Sequence, residues 1–179
     1  MFFVVTLLFR DVYPLKINSE NMTTYTPKEL MLEAVRLAKD SIEQGGGPFG
    51  AVVARKGHIV ARASNRVALD RDPTAHAEVC AIREACKVLG TFRLDDCEIY
   101  ASTEPCPMCL SAIYWARIER VWYGSTRQDA SRAGFDDDFI YRELGKAPRD
   151  RSKKMLQLMT REATDIFALW KGKIDKVSY

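Results

Sequence analysis

One histidine and one pair of cysteines set the strongest constraint on how this chain can fold. In PTAHAEVCAIREAC (73–86), His76 stands two residues before Glu78, where a helical stretch begins. Thirty residues on, TEPCPMC (103–109) supplies Cys106 and Cys109 as a C-x-x-C pair, again at a helix start. A spacing of three turns both thiols toward one side of a helix, and the positive helix N-terminus favours their thiolate forms. A C-x-x-C pair alone fits a redox couple, half of a structural zinc site, or chance. The redox reading lacks support, because Pro105 and Pro107 bracket the pair and no thioredoxin-type strand opening lies near the chain start. A structural zinc site needs four protein ligands, and the sequence has no second C-x-x-C. His76 completes a set of three. The open fourth position is what a catalytic zinc keeps for water or substrate.

Glu78 then acquires a role. A carboxylate beside a metal-activated water can take its proton and later deliver it to a leaving amine. Residues two apart lie on nearly opposite sides of a regular helix. His76 is therefore expected in an irregular first turn, and a regular helix through 75–79 would remove the shared site. The other histidine, His58, follows a Lys56-Gly57 turn and reads as an exposed strand residue. The pairing of H-x-E with P-C-x-x-C matches a known signature of zinc deaminases.

The remaining pattern frames this site. Thr26-Pro27-Lys28-Glu29 reads as a capping box with proline in the first turn. GGGPFG (45–50) stops that helix, and AVVARKGHIVARAS (51–64) reads as a hairpin. Helix 75–89, strand 97–103, helix 106–116, a strand within 117–124, a mixed segment 125–147 and a late helix near 155–171 complete an α-β-β-α-β-α-β-(α/β)-α order. With 179 residues, 47% of them hydrophobic, the chain suits one domain over 26–179, preceded by an extension over 1–25. The apolar run MFFVVTLLF is too short to span a bilayer and lacks the charged start of a secretory signal, so Met22 is a candidate start. No later segment reads as transmembrane, and the expected location is the cytoplasm. A net charge of +3 with both signs interspersed gives no case for a nucleic-acid surface, and PRDRSKK (148–154) reads as a solvated stretch. Five cysteines, an odd number without regular spacing, argue against a secreted disulfide framework, and Cys80 and Cys86 read as small buried side chains.

GGPFGAVV, RDPTAHAEVCAIR, STEPCPMCLSAIYWARI and AGFDDDFIY together resemble the cytidine-deaminase-like superfamily and, within it, the bacterial guanine deaminases. The resemblance covers roughly 28–179 and is most specific over 45–124. It implies a three-layer α-β-α fold around a mixed sheet of about five strands. It implies one zinc per subunit held by His76, Cys106 and Cys109, with Glu78 as proton shuttle. The implied reaction is hydrolysis of a purine base, guanine giving xanthine and ammonia. Asn65 matches the asparagine that similar enzymes place on the purine, where an amide can both donate and accept. Phe49 would wall the pocket and Trp115 would lie near it. Asp137 matches a family carboxylate that accepts from guanine N–H groups. Tyr179 matches a terminal tyrosine that closes the active site of a partner subunit, which implies a domain-swapped homodimer. The first 25 residues have no counterpart, and RDRSKKMLQLMTREATD is only loosely similar. A guanosine deaminase, a tRNA-specific adenosine deaminase and, from another class, a non-catalytic zinc module remain as alternatives. YGSTRQDASRAGFDD departs from the tRNA enzymes, and the spare Glu78 speaks against a purely structural zinc.

Overall fold

The computed structural model describes residues 23–178, so the N-terminal apolar run, Met22 and Tyr179 lie outside the described residues. The chain divides into two compact units, the first ending at Thr126 and the second starting at Arg127.

In the first unit, α1 (Pro27–Glu43) starts at the expected capping box. The Thr26 hydroxyl accepts from the Glu29 N–H, and the Glu29 carboxylate accepts from the Thr26 N–H at 2.7 Å. Leu30, Ala34, Ala38 and Ser41 recur at helical spacing and form the buried stripe. Strands β1 (Gly50–Arg55) and β2 (His58–Ser64) form the antiparallel hairpin. A short α2 (Val67–Asp70) then leads to α3 (Ala77–Leu89), β3 (Cys97–Thr103), α4 (Pro107–Ala116) and β4 (Arg120–Ser125). The sheet order is β2-β1-β3-β4, with β1 and β3 antiparallel and β3 and β4 parallel across the α4 connection.

Successive residues of a strand face opposite sides, so β1 serves two cores at once. Ala51 and Val53 join Ile99 and the inner faces of α3 and α4. Val52 and Ala54 join Leu30, Ala34 and Tyr100 on the α1 side. The result is the expected three-layer α-β-α arrangement, held by two apolar layers. Gly50 permits it: a Cβ there would lie 2.2 Å from the Ala34 carbonyl oxygen and 2.7 Å from the Ala38 nitrogen.

The sheet has four strands among the described residues, one fewer than expected. The segment after β4 is helical instead, as α5 (Arg127–Arg132) and α6 (Asp138–Leu144). Its run of Asp, Arg and Gly is poor in the β-branched residues that favour strands. Cys80 and Cys86 are half-buried, and the buried cysteines are Cys97 and Cys109. The apolar line of α3 runs through Ala77, Ala81 and Ala85, which leaves Cys80 and Cys86 on its flanks.

The second unit continues past α6 with a 3-10 turn (Pro148–Asp150) and α7 (Thr160–Gly172). The late helix starts five residues after the expected 155, with Met159 in the left-handed region at φ 54°. Polar ties hold the unit together. The Glu143 carboxylate accepts from the Ser152 N–H at 2.6 Å and hydroxyl at 2.8 Å. The Arg127 guanidinium lies 4.8 Å from the Tyr141 ring centroid. No residue of α5, α6 or α7 is buried.

Candidate metal centre and substrate pocket

Two helix starts build the centre. His76 is the N-cap of α3 and Cys106 the N-cap of α4, both with extended backbone (φ −68°, ψ 153° and φ −66°, ψ 168°). An N-cap side chain ordinarily accepts from the first-turn N–H groups. Neither residue makes such a bond. Their side chains turn to each other instead. This resolves the spacing difficulty, since His76 lies outside the helix proper and Glu78 is its second residue.

The donor atoms of His76, Cys106 and Cys109 all lie within 4.8 Å of one another. The Nδ1 of His76 stands 3.6 Å from the Cys106 Sγ and 3.5 Å from the Cys109 Sγ. Zinc bonded tetrahedrally to nitrogen and thiolate requires an N-to-S separation of ~3.6 Å. One imidazole lone pair cannot accept from two thiols in line, so two near-equal distances fit a common central ion better than two hydrogen bonds. The donor set and its spacing fit zinc.

The electrostatics agree. The Cys106 thiol is drawn down to about 4, first by the hydrogen bond from Cys109 and then, against burial, by the one to His76. That same bond, followed by burial and the Glu78 charge, pushes Cys109 well above the ordinary thiol range. Metal binding would require both thiols in their deprotonated form. Glu78 is 8% exposed. Burial pushes its carboxyl above the usual range, its own backbone N–H opposes this, and the negative Cys106 reinforces it. A carboxyl raised in this way holds a proton more readily than an exposed one.

Asn65 follows β2 and is 6% exposed. Its Oδ1 accepts from the Val67 N–H at 3.2 Å and the Gly47 N–H at 3.4 Å. The Arg66 N–H donates to the Ala75 carbonyl at 2.9 Å, which ties the residue after Asn65 to the residue before His76. Phe49 is part-buried against the larger core, and its carbonyl accepts from the Asn65 N–H at 2.9 Å. The fold therefore gathers His76, Glu78, Cys106 and Cys109 at one centre and links Asn65 and Phe49 to it through backbone. Trp115 lies in the last turn of α4 and is 65% exposed. Asp137 is the N-cap of α6 in the second unit. The sequence reading overlooked the Gly47 and Val67 amides that hold Asn65. The three glycines at 45–47 were their only local signal.

Residues 24–125, more than half of the chain, match the profile of the cytidine and deoxycytidylate deaminase zinc-binding region. The chain belongs to this family. The three-ligand cluster is thus the zinc centre of a cytidine-deaminase-like domain. The chain is 50% identical to the guanine deaminase of Bacillus subtilis over 147 residues, which cover 82% of this chain and 94% of that protein. The crystal structure of a guanine deaminase from Bacillus subtilis superposes with a TM-score of 0.84 at 48% identity, covering 86% of this chain and 99% of that one. The tRNA-specific adenosine deaminase of Aquifex aeolicus is 46% identical over 99 residues, covering 55% of this chain and 66% of that protein.

Proposed function

We infer that this protein is a zinc-dependent hydrolase that deaminates guanine to xanthine and ammonia. One observation carries the choice of substrate. The similarity to the guanine deaminase spans 147 residues, more than the 126 positions up to Thr126, so it necessarily enters the second unit. The 99-residue similarity to the tRNA enzyme is short enough to fit inside the first unit alone.

His76, Cys106 and Cys109 would hold the zinc, whose Lewis acidity would bring a water toward ionisation at neutral pH. The chain's own groups move the protons. Glu78 takes one proton from the attacking water as its oxygen bonds to C2 of guanine, and returns that proton to the adjacent ring nitrogen. It then carries the second water proton to the exocyclic amine. The C2–N bond breaks, ammonia leaves, and C2 becomes the carbonyl of xanthine. Asn65 donates to the purine and Phe49 walls the pocket. Asp137 accepts from the guanine N–H edge, where adenine offers no matching donors. Trp115 lies at the pocket margin.

The purine-binding enzyme acts as a homodimer in the cytoplasm, with the C-terminal segment exchanged between subunits and Tyr179 closing the partner's site. Ile166, Phe167 and Trp170 support this reading. They line one cavity with Ser178, yet they are 63%, 67% and 41% exposed in the single chain. No helix among the described residues is long and apolar enough to cross a membrane. The deciding experiment is ammonia release by zinc-loaded protein from guanine, guanosine, adenine, cytosine, cytidine and a tRNA anticodon loop. Guanine should be preferred, and turnover confined to the RNA loop would overturn the assignment.

A further inference from the structure

Ser41 is a fully buried polar residue that the chemistry above does not use. A serine inside a helix commonly returns its hydroxyl to the carbonyl one turn back. Ser41 instead reaches 24 residues along the chain and donates to the Asn65 main-chain carbonyl at 3.1 Å. Its own carbonyl accepts from the Gly46 N–H at 2.7 Å. A Cβ on Gly46 would lie 2.5 Å from the Ser41 hydroxyl oxygen and 2.6 Å from the Asn65 carbonyl oxygen. Only glycine leaves space for the hydroxyl to reach its acceptor. Asn65 is therefore held at its N–H by Phe49, at its carbonyl by Ser41 and at its side-chain oxygen by Gly47 and Val67.

The two N–H groups that converge on Oδ1 fix which side-chain atom is oxygen. They also use up the accepting half of the amide. Among the described residues, Nδ2 has no protein partner, and it is not a sealed buried atom. We propose that Ser41 is a positioning residue. By fixing the Asn65 main chain it presents Asn65 to the bound purine as a donor only, and the purine must meet it with a carbonyl oxygen or an unprotonated ring nitrogen. This rests on the guanine reading given above. It narrows the expectation from sequence that the Asn65 amide both donates and accepts.

The test is a double-mutant cycle on the zinc-loaded full chain with guanine. Ser41→Ala should raise KM about fivefold, the scale of one neutral hydrogen bond, with kcat within twofold of wild type. In an Asn65→Ala background the same change should leave KM within twofold. Equal KM effects in both backgrounds, or a fall in Tm with KM unchanged, would overturn the proposal. Ser41→Cys, which keeps a weak donor of similar size, should recover part of the wild-type KM. If the unmodified enzyme releases no ammonia from guanine, the functional reading is what has failed. The positioning claim is then decided by the Asn65 side-chain amide pair in ¹⁵N–¹H spectra. Ser41→Ala should shift and broaden that pair, and an unchanged pair sinks the claim.

Discussion

Five of the six residues of β1 are buried, whereas none of the thirteen residues of α7 is. Both segments carry apolar side chains. In β1 these meet a helix on either face. In α7, Phe167 and Leu169 remain 67% and 76% exposed. An amphipathic helix draws most of its stability from tertiary packing of its apolar face. The first unit therefore contains its own reason to fold, together with the metal centre. The second unit carries apolar surface whose cover, on the dimer reading, comes from another copy of the chain.

The largest effects should come from the first unit. Glu78→Gln should keep zinc while lowering kcat by about 10³-fold, within the range of a lost general acid-base group. Elemental analysis alongside ammonia release checks both halves, and a variant with near-normal turnover would remove Glu78 from the mechanism. Ile99 has no exposed surface between the strands and helices. Ile99→Ala should cost about 3 kcal/mol in urea unfolding, whereas Leu156→Ala, at an 88% exposed site, should stay within about 0.5 kcal/mol. Similar losses at both sites would erase the contrast between the units.

Two changes in the second unit sharpen the comparison. Trp170→Asp should move the sedimenting mass from two chains to one with zinc content unchanged. A mass that stays at two chains would show that α7 is not part of the interface. Deleting Lys176–Tyr179 should spare zinc and lower kcat/KM on guanine several-fold, and full activity would dismiss the closing role of the tail.

The smallest effect concerns α1. Glu33 is held down to about 2, first by the Arg36 hydrogen bond and, against partial burial, by Arg62, whose Nε lies 2.8 Å away. Its folded-state pKa is depressed, so its contribution is complete above the ordinary carboxylate range and fades as the pH falls through about 2. Glu33→Gln should cost about 1 kcal/mol at pH 7, after allowance for solvent screening. Denaturation curves of the two proteins should converge near pH 2. A constant gap would place the effect in packing.

Much of the site was legible because its determinants are local. The capping box at Thr26, the C-x-x-C spacing and the irregular turn that His76 needs all depend on neighbours within a few residues, and each appears where expected. The strand count was not legible, because about five strands is only what the resemblance implies, and the mixed pattern over 125–147 does not separate strand from the helices that form there. Cys80 and Cys86 illustrate the same limit. Their apolar surroundings do not show that both flank the buried line of Ala77, Ala81 and Ala85.

The sequence by itself determined which atoms can hold zinc and which carboxylate stands beside them, since donor chemistry and helix-start geometry are properties of short stretches. Only the tertiary structure decided which groups hold the Asn65 side-chain oxygen and where the Ser41 hydroxyl goes. Those outcomes depend on backbone groups 18 and 24 residues away that meet only after α1 and the hairpin have come together. A hydrogen bond is set by distance and direction in space, and neither is written in the order of the residues.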